Sequence, residues 1–113
     1  MNTSSPLNIV AICTAIEGKE YLLRAAQEKL VIETVKEPGC IRYELHQSIQ
    51  DGRIMIFMES WASREQWESH MNGAAIRRFQ STGAGNYFAD FNLYQLKLVT
   101  DGHKEITNTA NTI

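Results

Sequence analysis

Apolar residues along this chain recur in two rhythms, one of two residues and one of three to four, and the order in which the rhythms alternate predicts the architecture. After a polar leader ending at Pro6, the run from Asn8 to Ala15 (NIVAICTA) is rich in β-branched residues and nearly apolar on both faces, which predicts a strand covered on two sides. Gly18 interrupts the run. From Lys19 to about Val35 the positions Leu22, Leu23, Ala26, Leu30 and Val31 follow helical spacing, with Glu20, Arg24, Gln27 and Glu28 on the outer face. Pro38 disfavours helical geometry at Glu37, so the helix stops near Lys36, and Gly39 permits a sharp reversal.

The stretch from Cys40 to Ser48 alternates again, with Ile41, Tyr43 and Leu45 on one face and Arg42, Glu44 and His46 on the other. Asp51-Gly52 marks a hairpin into a third strand, Ile54 to Trp61. There Ile54, Ile56 and Met58 share one face, and Met55, Phe57, Glu59 and Trp61 the other. Ser63 and Gln66 form a capping box that starts a second helix running to about Met71, where Asn72-Gly73 ends it. A further helical turn or two is expected from Ala74 to Gln80, then a glycine-rich loop, STGAGN, and a last strand from Phe91 to Val99.

The element order is β-α-β-β-α-β, an α+β arrangement of the ferredoxin-like split β-α-β kind, in which both helices cover one face of an antiparallel sheet. Residues 1–7 read as a leader, 8–99 as one domain and 100–113 as a polar tail. The helix-free face would expose Ile54, Ile56 and Met58, so a second copy of the chain is expected to cover it.

Composition narrows the function. A chain of 113 residues suits a single domain, and its 43% hydrophobic and 21% charged content is that of a soluble globular protein. A formal charge of −2 lacks the basic excess that a phosphate backbone demands, which argues against nucleic acid as a partner. No apolar run approaches the length of a membrane span, and the N-terminus lacks the features of a secretion signal, so a cytoplasmic location is expected. Cys13 and Cys40 belong to no CxxC pair and are expected to be reduced, buried and unpaired. The Asn2-Thr3-Ser4 sequon carries no weight without secretion.

Three fragments in order, Glu37-Pro-Gly-Cys-Ile-Arg-Tyr-Glu-Leu-His46, Phe57-Met-Glu-Ser-Trp61 and Trp67-Glu-Ser-His70, give a more specific signature. Over residues 8–99 the chain resembles the antibiotic biosynthesis monooxygenase domain. The resemblance implies a dimeric α/β barrel, in which two sheets pack together and each subunit keeps a pocket between its sheet and helices. It also implies oxidation of a quinol-like or anthrone-like aromatic, with no cofactor and with dioxygen as co-substrate. Such chemistry needs a base, donors for an oxyanion and a dry pocket.

His70 is the candidate base, because imidazole titrates near neutrality. Glu59 sits on an otherwise apolar strand face, where a carboxylate needs a partner, and is the candidate to orient His70 or to bind a substrate hydroxyl. Tyr43 and Trp61 are candidate substrate contacts through their O–H and N–H, and Phe57, Trp67 and Phe79 are candidate pocket wall, with Met71 and Ile76. Each of these aromatics has core packing as its simpler role. His46 belongs with Arg42 and Glu44 on the outer face, so His46, His70 and Glu59 are not expected to converge on a metal. The haem-degrading branch of the family uses an Asn in the first strand and a His beyond the Trp of the second helix. Here the first strand lacks Asn between Ile9 and Ala15, and Arg77 and Gln80 stand beyond Trp67 and His70. Two other readings remain: an isomerase of a small phosphorylated sugar-like signal, for which only Arg77 and Arg78 supply clustered charge, and a dimeric quinone-binding module without chemistry.

Overall fold

In the computed structural model, which describes residues 6–102, the chain forms β1 (Leu7–Ala15), α1 (Glu20–Thr34), β2 (Cys40–Gln47), β3 (Ile54–Trp61), α2 (Arg64–Met71), α3 (Ala74–Ser81) and β4 (Phe88–Leu96). A 3-10 turn, Ala84–Tyr87, leads into β4. The four strands make one antiparallel sheet in the order β2-β3-β1-β4. This is the ferredoxin-like α+β fold, and within one chain the sheet stays open. Most of the expected leader and tail lies outside the described residues, although Leu7 already pairs with Trp61 in β1.

Alternation in β1 and β3 decides what the sheet buries. Ile9, Ala11 and Cys13 face the helices together with Met55, Phe57 and Trp61, and they close a core with Leu30 of α1, Trp67 of α2 and Ala75 of α3. Trp61 is wholly buried, and truncating an aromatic at such a position costs about 3–5 kcal/mol. On the other face Val10, Ile12, Ile54, Ile56 and Met58 are only half-buried, while Tyr94 and Leu96 are exposed. His46 and Arg42 rim that face, both bound to Glu44 at 3.0 and 2.9 Å.

Four expectations need correction. Gln27 is not on the outer face of α1 but wholly buried, and Leu22 is 48% exposed, because the buried stripe runs through Leu23, Gln27, Leu30 and Thr34. Ile41 does not share a face with Tyr43 and Leu45: the β2–β3 register slips between Cys40 and Arg42, so Ile41 bulges out and is 60% exposed while Cys40 faces Trp61. The last strand begins at Phe88 rather than Phe91 and ends at Leu96 rather than Val99, because β1 is its one pairing partner and Leu96 is already opposite Asn8. The glycine-rich stretch is not open loop throughout, since Ala84–Tyr87 winds into a helical turn after Gly83, whose φ of +84° closes α3.

The Ser63 cap forms as expected, its Oγ accepting from Gln66 N at 3.1 Å. Gly73 separates α2 from α3 for a steric reason: a β-carbon there would stand 2.8 Å from the Ser69 carbonyl oxygen.

Candidate active site

Between the helices and the covered face of the sheet lies a cavity of about 400 Å³, within the range of sites for small organic molecules. Leu30 and Met71, with Ile76 and Phe79 of α3 and Phe88, Phe91 and Leu93 of β4, make most of its wall apolar. Cys13, Tyr43, Glu59 and His70 bring chemistry to it.

Period-two alternation in β3 aims Glu59 inward, where it is 6% exposed. Its Oε1 accepts a hydrogen bond from Trp61 Nε1–H at 2.9 Å. Burial dominates and pushes this carboxyl up to about 7, with the Trp61 N–H working the other way.

His70 occupies the last turn of α2 and is 2% exposed. Its Nδ1 lies 2.7 Å from Glu37 Oε1. Burial holds the imidazolium below its ordinary range, opposed by the Glu37 hydrogen bond and charge, so the ring is neutral at pH 7. A carboxylate acceptor at Nδ1 fixes the proton there and leaves the lone pair on Nε2, which has no hydrogen bond among the described residues. A ring held in this way can accept a proton at Nε2.

Aromatic packing holds the pair still. Trp61 stacks on His70 with centroids 4.7 Å apart and planes at 30°, and Tyr43 meets His70 edge-on at 5.2 Å. Tyr43 also packs 5.0 Å from Phe57. Burial, aided by the Glu59 charge, drives the Tyr43 phenol well above its usual range, against a lowering contact with Thr34, so the phenol keeps its proton. Burial likewise pushes the Cys13 thiol up to about 11, against a lowering contact with Gln27.

Of the residues proposed from sequence, His70, Glu59, Tyr43, Phe57 and Phe79 meet in this cavity, with Met71 and Ile76. Two do not line it. Trp61 is sealed behind the site with its N–H committed to Glu59, so it supports the site and does not touch a ligand. Trp67 packs in the core, its Nε1 without a hydrogen bond among the described residues. The expected partnership of Glu59 with His70 is also corrected, because the carboxyl group on His70 is that of Glu37. Cys40, expected to be buried, is half-buried, and both thiols are free.

Sequence reasoning passed over Glu37 because Pro38 beside it signals only a helix stop. The local clue is Gly39. Its φ is +83°, and a β-carbon there would overlap the Gln66 side chain, so glycine alone lets this loop close on α2 and bring Glu37 to His70. His46 lies on the opposite sheet face, across from Ile56. Among the described residues no three His, Cys, Asp or Glu side chains group as a metal site, and no helix is long and apolar enough to cross a membrane.

An open ferredoxin-like sheet, with an imidazole and a buried carboxyl set into a largely apolar cavity, defines a small α+β protein with a pocket suited to a small organic molecule. The chain belongs to the antibiotic biosynthesis monooxygenase family, whose model matches residues 6–82. PA3566 from Pseudomonas aeruginosa is similar in structure at 29% identity and a TM-score of 0.82, over 88% of this chain and 100% of that one. SO0527 from Shewanella oneidensis is similar at 27% identity and a TM-score of 0.76, over 84% and 93%. Rv0793 from Mycobacterium tuberculosis, at 20% identity and a TM-score of 0.78 over 88% and 100%, shares the fold. A search of curated proteins gives no match.

Proposed function

We propose that this protein is a monooxygenase that oxidises a hydroxylated aromatic of the quinol or anthrone kind, with dioxygen as co-substrate and no resident cofactor. The observation that carries the reading is the neutral His70, tied through Nδ1 to Glu37 at 2.7 Å, at the wall of an apolar cavity. Nε2 takes the proton of an aromatic hydroxyl, and the resulting electron-rich anion passes an electron to dioxygen. Most of the wall is apolar, and Tyr43 is the candidate donor to the substrate oxygen.

Oxygen uptake by metal-free protein, with anthrone and naphthohydroquinone as substrates, tests this reading. Wild-type protein should consume oxygen, and His70→Ala should lower the rate by about 10²–10⁴. Quinone binding without oxygen uptake would instead favour the non-catalytic module. The phosphorylated-sugar isomerase loses support because no Lys or Arg lines the cavity among the described residues: Arg77 binds the Asn72 carbonyl and Arg78 pairs with Glu33.

A second copy of the chain covers the helix-free face in this reading, since Val10, Ile12, Ile54, Ile56 and Met58 form an apolar centre there. Burial of apolar surface contributes about 25 cal/mol per Å². A monomeric mass at micromolar concentration would overturn the pairing. The free thiols favour a reducing compartment, the cytoplasm.

A further inference from the structure

We propose that Glu59 is a second catalytic residue, which protonates the peroxide formed when dioxygen adds to the substrate and then takes the hydrogen lost from the same carbon, while His70 deprotonates the substrate hydroxyl. The proposal rests on the monooxygenase reading and assigns the proton traffic within it. Its ground is geometric. Glu59 lines the same cavity as His70 but is held by a separate support, Trp61 Nε1–H at Oε1, whereas His70 is held by Glu37. Among the described residues nothing hydrogen-bonds the second carboxyl oxygen of Glu59. Trp61 both donates to Glu59 and stacks on His70, so one rigid indole sets the spacing between the two groups.

The other titratable side chains that share the cavity or sense the Glu59 charge are Cys13 from β1, Tyr43 and Cys40 from β2, and His70 from α2. The parts of α1, α3 and β4 that line the cavity bring none. The two groups are displaced from their ordinary values in opposite directions, the imidazole down and the carboxyl up. That combination stocks one pocket with a free base and a loaded acid at the same pH.

The steps balance for an anthrone-type substrate. His70 Nε2 takes the hydroxyl proton of the enol form. The enolate gives one electron to dioxygen, and the radical pair joins in a carbon–oxygen bond, leaving a peroxide anion. Glu59 hands its proton to the terminal oxygen. The Glu59 carboxylate then removes the remaining hydrogen from the same carbon as the oxygen–oxygen bond breaks and the carbonyl forms. The departing hydroxide takes the proton held by His70 and leaves as water. Methylene plus dioxygen becomes carbonyl plus water, and both groups return to their starting states.

The test is anthrone oxidation, followed by oxygen uptake and quinone absorbance across a range of pH. Wild-type turnover should fall as pH rises through about 7, where Glu59 loses its proton. Glu59→Gln should lower kcat by about 10²–10⁴ and abolish that alkaline fall. Trp61→Phe keeps a ring against His70 but deletes the N–H, so it should move the fall toward alkali by about one pH unit, and it serves if Glu59→Gln does not fold. Wild-type kcat in Glu59→Gln, or an unmoved fall in Trp61→Phe, would overturn the role of Glu59 and leave the monooxygenase reading standing. Absence of oxygen uptake by the wild-type protein would sink the monooxygenase reading itself, and this proposal with it.

Discussion

Replacing Glu59 by Gln should make the protein more stable at alkaline pH. The folded chain holds this carboxyl at about 7 against an ordinary 4.5, so it retains a proton that the unfolded chain releases. A raised acid of this kind costs stability as pH climbs from 4.5 to about 7, and the cost then levels off. At about 1.4 kcal/mol for each pH unit of that interval, the charged carboxylate destabilises the alkaline protein by roughly 3 kcal/mol. Gln keeps the volume and the carbonyl that accepts the Trp61 N–H, and it carries no charge to bury. Urea titrations of both proteins should give similar midpoints at about pH 4.5 and separate progressively, with the variant ahead by roughly 2–3 kcal/mol at about pH 8.5. Every other titrating group is common to both proteins, so the pH-dependent difference isolates Glu59. A difference that is flat with pH, or a wild type that gains on the variant as pH rises, would refute the argument that burial governs this carboxyl.

Glu37→Gln should lower turnover by about 10² or more with the fold intact, because an amide N–H offered to Nδ1 drives the imidazole proton to Nε2 and removes the base. Since Glu37 raises the His70 value, the acid limb of the pH profile should also move to lower pH, and an unchanged limb would count against the dyad. Gly39→Ala should cost on the order of 1–3 kcal/mol in urea stability through its positive φ alone, and it should reduce oxygen uptake by lifting Glu37 away. Wild-type behaviour in both respects would contradict the loop packing. Disulfide-exchange reagents should modify Cys40 slowly in the native protein and Cys13 only on unfolding, since Cys13 is fully buried and its thiol is pushed up to about 11. Rapid release of two equivalents would contradict this.

The fold was legible because strands and helices here differ in period as well as composition. NIVAICTA and IMIFMESW declare a doubly apolar strand pair, and the Ser63 box and Gly73 bound α2 within a residue or so. What escaped was whatever depends on another part of the chain. The bulge at Ile41 preserves the look of alternation while turning its face, and Phe88 becomes strand only because Ala15 is there to pair with it. The site divides in the same way. Glu59 was conspicuous as a carboxyl among apolar neighbours, and His70 as a helical histidine following a tryptophan. Glu37 reaches His70 across a separation of 33 residues, which no period records, and the direction of the Trp61 N–H is set by side-chain packing.

The lining of the cavity comes from two stretches of chain. Cys13, Tyr43, Glu59 and His70 come from within the family match, while Gly85, Phe88, Phe91 and Leu93 come after residue 82, where it ends. A change in that second stretch alters the shape of the cavity without replacing Tyr43, Glu59 or His70. Exchanging residues 83–96 with those of a relative is therefore a direct way to ask whether this stretch sets what the cavity accepts.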